Sequence, residues 1–200
     1  MLISIIILHD QKDQPPPVLD SLAFESSDYE IIIVTDSPAL TDTAFLDTPA
    51  PVKIAGVRSG RAADWLNAGA QTAQGDILLF LEPRHRLPVD ALAAITRNFE
   101  LLPHTVGGNF HLNFESNSLF AQFVSRLVKW KRYSGRYGID SGLFVQKTAF
   151  AALNGFQPET RFADYNFARR LEKLGPTLFL PETLTLPAPT LKQMAALLSF

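Results

Sequence analysis

Cysteine is absent from all 200 residues, which excludes disulfides, thiolate nucleophiles and thiolate metal sites. A reducing, cytoplasmic compartment is compatible with that absence and is the expectation. Surplus charge is lacking too: 18 Lys and Arg face 20 Asp and Glu, giving a net charge of -2 and a pI near 6.1. Such a balance offers no cationic footprint for a phosphodiester backbone, so no nucleic-acid partner is expected. No apolar run approaches the ~20 residues that a membrane-spanning helix needs. The opening Met1–Leu8 is apolar, yet it has no basic flank and meets His9-Asp10 after a strand's length, so it reads as a first β-strand rather than a leader. Repeats, low-complexity tracts and linkers are also missing. With 46% hydrophobic and 19% charged residues the composition is globular, and the length suits one domain with one well-buried core.

What is present is organised around Gly75–Pro88. Gly75-Asp76 is turn chemistry, Ile77–Leu81 is apolar on every side, and Pro83 stops both helix and strand ladder. A short run of that kind suits a strand covered on both faces, as in a parallel sheet. Ligands bind beyond the carboxyl ends of such strands, which directs attention to Glu82, Arg84 and His85. A strand followed by a solvated polar turn is the plainer reading of the same residues.

The flanking pattern supports the sheet. Ile3–Leu8 and Glu30–Val34 are rich in β-branched residues and predict strands. Between them Pro15-Pro16-Pro17 starts a helix over Val18–Phe24. Pro51–Ala55 predicts a short third strand, Ala62–Ala70 a helix, and Asp90–Phe99 another, with Leu92, Ile95 and Phe99 at helical spacing. This alternation specifies an α/β fold with a mostly parallel, doubly covered sheet.

The second half changes in texture. Val106–Phe114 alternates apolar with polar and predicts an antiparallel strand with one wet face. Asn117–Tyr133 predicts an aromatic-rich, basic amphipathic helix. A strand follows at Leu143–Val145, then a helix at Lys147–Leu153, a helix beginning around Arg161–Leu171, and a last strand at Thr177–Leu180 closed by Pro181. The amphipathic Leu191–Phe200 reads as a final helix on its own domain, or as a contact for a membrane surface or a second copy of the chain.

Several blocks, taken in order, resemble family 2 glycosyltransferases of the GT-A fold, in particular the short bacterial subgroup associated with arsenosugar biosynthesis. They are Arg58–Ala70, Gly75–Leu81, Arg86-Leu87-Pro88, Gly107–Phe110, Tyr137–Val145, Leu153–Phe156 and Ala163–Leu171. The resemblance implies a single GT-A-like, Rossmann-like domain with a mixed, mostly parallel sheet. It implies a nucleotide-binding half over residues 1–100 and an acceptor and catalytic half over 101–200. It further implies a nucleotide-diphosphate sugar donor, an acceptor hydroxyl, and a divalent metal, manganese or magnesium, held after the fourth strand. A leaving diphosphate needs a cation and an attacking alcohol needs a base, which is the chemical reason for those parts.

By the same resemblance Asp164 takes the position of the catalytic base, and Asp36, Arg61 and Asn67 face the nucleotide. Glu82 and Arg84 lie beside the diphosphate, and Asp140 lines the donor or acceptor pocket. The sequence departs from the family in four places. Thr35 stands where an aspartate usually grips the nucleoside, with Asp36 adjacent, and Leu8-His9-Asp10-Gln11-Lys12 stands where the family usually has a proline followed a few places on by an acidic or amide residue. Arg84 replaces the metal carboxylate, and Ala163 and Asn166 replace acids around Asp164. Three readings of Arg84 follow: it supplies charge to the diphosphate without metal, it leaves Glu82 and His85 to hold a displaced metal, or it marks a domain that no longer transfers sugar. The last corresponds to a non-catalytic module binding a nucleotide, a sugar or a protein. A nucleotidyltransferase reading lacks the glycine-rich loop expected after the first strand. Trp65 and Trp130 read as core or interface, and Tyr137 as the better-placed platform for a sugar ring.

Overall fold

The computed structural model describes residues 1–9, 16–23, 25, 27–36, 48–57, 60–115, 125–126, 130, 132, 137–160 and 162–187. Residues 10–12, Arg58-Ser59, Arg161, most of the helix expected over 117–133 and the segment 191–200 therefore lie outside the described residues.

Seven strands form one sheet: β1 (Ile3–Leu8), β2 (Tyr29–Thr35), β3 (Val52–Gly56), β4 (Ile77–Leu81), β5 (Gly107–Phe114), β6 (Leu143–Gln146) and β7 (Thr177–Leu186). Their order is β3-β2-β1-β4-β6-β5-β7. The first four are mutually parallel, with Ile5 opposite both Ile31 and Leu79. β6 runs against both β4 and β5, while β5 and β7 are parallel. The helices are α1 (Val18–Leu22), α2 (Ala62–Thr72), α3 (Ala91–Leu101), α4 (Lys147–Ala152) and α5 (Ala163–Leu174), with a 3-10 turn at Ile139–Ser141.

Side chains alternate across each strand, so the apolar runs feed two cores at once. Ile3, Ile5, Ile7, Ile31, Ile33, Ile77 and Leu79 pack with α1 and α3. Ile6, Ile32, Val34, Leu78 and Phe80 pack on the other face with α2, α4 and α5. Within the second core Phe80, Phe150, Phe156 and Phe167 pack in tilted and edge-to-face pairs with ring centroids 4.8 to 5.6 Å apart. Each such buried side chain contributes about 1.5–3 kcal/mol. Gly69 lets α2 lie directly on the sheet, since a Cβ there would meet Ile6 Cγ2 at 2.5 Å and Val34 Cγ2 at 2.8 Å.

Two expectations are corrected. β7 does not stop at Pro181 but continues to Leu186. The β5–β7 register steps from Phe110↔Leu180 to His111↔Thr183, so Pro181 and Glu182 bulge out of the ladder. On the last strand of a sheet a missing N–H and a bulge are both tolerated. β5, expected to be antiparallel with one wet face, is antiparallel to β6 only at Gly107 and Gly108 and parallel to β7 along its length. Its alternation survives only toward its end, where His111 is half-buried and Asn113 exposed between the buried Phe110, Leu112 and Phe114.

One polar cluster is buried at the amino ends of the parallel strands. Glu30 is 3% exposed. Its Oε1 accepts from Ser4 Oγ and from the Gln74 N–H, both at 2.6 Å, and its Oε2 pairs with Lys53 Nζ at 2.6 Å. Ser4 Oγ in turn accepts from the Gly75 N–H at 2.7 Å. Desolvation pushes the Glu30 carboxyl up, but the bonds from Lys53, Ser4 and Gln74 outweigh it, and the net shift is downward.

Candidate functional site

The segment after β4 is pinned rather than loose. The Pro83 carbonyl accepts from the Val18 N–H at 2.9 Å, tying it to the start of α1. Arg86 exchanges two backbone hydrogen bonds with Thr185 of β7, at 2.9 and 3.0 Å. His85 is fully buried. Its Nδ1 accepts from the Glu82 N–H at 2.9 Å, which leaves Nε2 to donate to the Asp140 carbonyl at 3.0 Å. Desolvation drives the imidazole pKa down to about 3, so the ring is a neutral strut between β4 and the 3-10 turn.

A cavity of about 540 Å³ opens beyond the carboxyl ends of β1 and β4. Leu8 and His9 of the β1 end, Glu82, Pro83 and Arg84 of the β4 end, Gly60, Ala62 and Trp65 around the start of α2, and Ile139 are among its walls. This is where open α/β sheets receive ligands, and the amino terminus of α2 favours an anion there. Glu82 and Arg84 line it, joined by an ion pair between Arg84 Nη2 and Glu82 Oε2 at 3.1 Å.

Asp36, Arg61 and Asn67 do not belong to that wall. Asp36 is exposed at the end of β2. The Arg61 side chain is spent on the Pro158 carbonyl at 2.7 Å, while its backbone N–H donates to Asp64 at 2.8 Å. Asn67 clamps Phe156, donating to its carbonyl at 2.8 Å and accepting from its N–H at 2.9 Å.

Behind Ile139 lies a cluster of acids. The Asp140 carboxylate accepts from the Gly138 N–H at 3.2 Å and from the Tyr165 hydroxyl at 2.9 Å. Asp164 Oδ2 accepts from the Ile139 N–H at 3.4 Å. Gly138 is required by this approach, because a Cβ there would collide with the Asp164 carboxylate. Burial pushes the Asp164 carboxyl up to about 6, with the Asp140 charge adding to the rise and backbone hydrogen bonds opposing it. Burial also raises Asp140 and Glu82; Asp140 repels Glu82 further, whereas Arg84 lowers it. A position in the first turn of α5 ordinarily favours an ionised aspartate, so desolvation and a like charge win here. The entry to α5 is strained as well: Phe162 is left-handed at φ 59°, ψ 57°, a conformation that costs a bulky residue about 1–3 kcal/mol.

The residues present do not fit the divalent metal that the resemblance implies. Both His85 nitrogens are engaged in holding the backbone, Arg84 occupies the position expected for a carboxylate, and no group of three or more His, Asp or Glu with metal-binding geometry occurs among the described residues. Tyr137 is likewise not a platform for a sugar. It is 2% exposed, and the Arg132 guanidinium covers its ring at 4.1 Å. Trp65, by contrast, does reach the cavity wall, and Trp130 is 65% exposed.

Sequence reasoning missed the supports. Arg170 donates to the Leu153 and Gly155 carbonyls at 2.6 and 2.7 Å, holding from one side the turn that Asn67 grips from the other. Arg132 is bound by Asn109 at 2.5 Å, Glu172 at 2.8 Å and Thr177 at 3.1 Å. Neither arginine carries a local mark of this role, since these partners lie 15 or more residues away.

No family model matches the chain, and no curated protein matches it. Solved structures do. S. aureus TarS 1-349 in complex with UDP-GlcNAc aligns at a TM-score of 0.70 and 12% identity, over 98% of this chain and 61% of that one. The mannosyltransferase PcManGT from Pyrobaculum calidifontis, in complex with GDP-Man and Mn2+, aligns at 0.71 and 14%, over 97% of this chain and 59% of that one. The chain thus spans about three fifths of the length of each. At such identities the likeness defines the fold: this is a GT-A-like α/β domain with a mixed, mostly parallel seven-stranded sheet. Among the described residues no helix is long and apolar enough to cross a membrane.

Proposed function

We propose that the chain is a family 2-like glycosyltransferase of the kind associated with arsenosugar biosynthesis, moving a sugar from a nucleotide-diphosphate donor to an acceptor hydroxyl with inversion. The observation that carries this reading is a cavity at the carboxyl ends of β1 and β4 with Arg84 in its wall and Asp164 one residue behind that wall, through Ile139. The complexes of the two structural neighbours with UDP-GlcNAc and GDP-Man support a nucleotide-sugar ligand. Residues 1–100 form the nucleotide-binding half and 101–200 the acceptor half. Asp36 serves the nucleotide, Arg61 and Asn67 act through the Pro158 and Phe156 backbone they hold, and Asp140 meets the sugar or acceptor beside Asp164.

In the reaction Asp164 takes the proton of the acceptor hydroxyl as its oxygen bonds to the anomeric carbon. The bond from that carbon to the diphosphate breaks, and the nucleoside diphosphate leaves beside Arg84. A base of pKa about 6 is ionised above that pH, so transfer rises as pH increases through about 6. Incubation with a panel of nucleotide sugars, with release of the nucleoside diphosphate as readout, tests this. Asp164→Asn is expected to lower turnover by about 10²–10⁴-fold with donor affinity retained; an unchanged rate removes Asp164 from the mechanism. The second reading, a binding module without transfer, is favoured by one feature: Asp164 stands behind Ile139 rather than in the cavity wall. Donor binding without turnover in the unmodified protein would select it.

A further inference from the structure

We propose that Arg84 is the cation that receives the diphosphate of a nucleoside diphosphate ligand, and that Glu82 is its internal counter-ion, holding the guanidinium until the ligand displaces it. This deepens the reading above and rests on it. Both side chains face the same cavity. Their contact is a single one, Arg84 Nη2 to Glu82 Oε2 at 3.1 Å, with side chains 39% and 29% exposed. An ion pair so open to solvent is weak and easily exchanged. A guanidinium carries five N–H donors and grips phosphate oxygens in pairs, so a diphosphate offers Arg84 more than one carboxylate oxygen does.

The backbone around the pair is fixed by Val18, Asp140 and Thr185, which confines the exchange to side-chain rotation. Glu82 is itself poorly held. It is repelled by Asp140, and Asp164 adds to the negative charge of the same region. A carboxylate at this position occupies the space beside Arg84 that a phosphate oxygen would take, and it repels the incoming anion. No metal ligand is needed for such an arrangement, in accord with the poor fit of the residues to a divalent ion.

Calorimetric titration of the unmodified protein, Glu82→Gln and Arg84→Ala with UDP, GDP, ADP and inorganic pyrophosphate tests the proposal, each in excess chelator and again with manganese. Thermal melts confirm that the variants are folded. The unmodified protein is expected to bind at least one nucleoside diphosphate in chelator. Glu82→Gln should then tighten it by about 3- to 10-fold, and Arg84→Ala should weaken it by about 10-fold or more. A strict requirement for manganese, unchanged or weaker binding by Glu82→Gln, unchanged binding by Arg84→Ala, or no binding of any ligand overturns the proposal. The two readings fail separately: metal-free binding with no sugar transfer leaves this inference standing and removes the transferase, whereas transfer that depends wholly on manganese does the reverse.

Discussion

Two buried acidic sites sit at opposite ends of the same parallel strands, and they are built in opposite ways. At the amino ends, Glu30 is met by a lysine, a hydroxyl and a backbone N–H, and its pKa falls. At the carboxyl ends, Glu82 alone of the three acids Glu82, Asp140 and Asp164 meets a guanidinium, that of Arg84, and all three carboxyls are raised. The first arrangement satisfies every oxygen and serves the fold. The second retains like charges, desolvated at Asp140 and Asp164 and partly open to solvent at Glu82, where nothing is gained for stability, and such frustration concentrates where chemistry is done.

The comparison predicts opposite responses to mutation. The largest effect on stability belongs to Glu30→Ala, which leaves Lys53, Ser4 and the Gln74 N–H without their acceptor; a loss of about 3 kcal/mol is expected in urea unfolding. Because the folded pKa of Glu30 is lowered, its contribution is complete above the unfolded value and disappears as pH falls through the folded one. The variant should therefore lack the steep acid loss of the parent. Equal acid sensitivity in both would break the comparison.

Asp164→Asn should have the contrary sign. A carboxyl raised to about 6 binds more protons folded than unfolded, so it lowers stability as pH rises from about 4 to about 6, and the penalty is full above that. The asparagine variant is thus expected to be more stable than the parent by about 2 kcal/mol at pH 8 and equal to it near pH 4. Guanidinium unfolding at the two pH values reads the difference; a variant less stable at pH 8 would place Asp164 among the supports of the fold. The smallest effect is expected for Glu82→Gln, within about 0.5 kcal/mol in the same assay, since its ion pair is half-exposed.

The strands of the amino-terminal half were legible because their apolar runs are too short for helices and rich in β-branched residues. The carboxyl end of β4 was legible because Pro83 stops the strand at a polar cluster, and Glu82, Pro83 and Arg84 do line a cavity there. What escaped was pairing over distance. Glu30 opens an apolar run and carries no local mark of its partners, which come from β1, β3 and the turn before β4. His85 sits among polar neighbours and yet is wholly buried, since its role is set by a carbonyl 55 residues away. The blocks around Asn67 and Gly155 pointed to important residues, but the chemistry they carry is hydrogen bonding to backbone rather than contact with the cavity. The end of β7 was misplaced for a related reason: proline stops a strand only where its N–H would have been used.

That last detail bears on how the molecule behaves in a crowd. A final strand ordinarily presents a row of unused donors and acceptors to which a neighbouring chain can add its own strand, the first step toward aggregation. β7 interrupts that row in the middle with Pro181 and the charged Glu182, and near its end Thr185 has already given its outer N–H and carbonyl to Arg86. The contact that anchors the cavity-facing loop therefore also seals the margin of the sheet, and loosening that loop would uncover an adhesive edge.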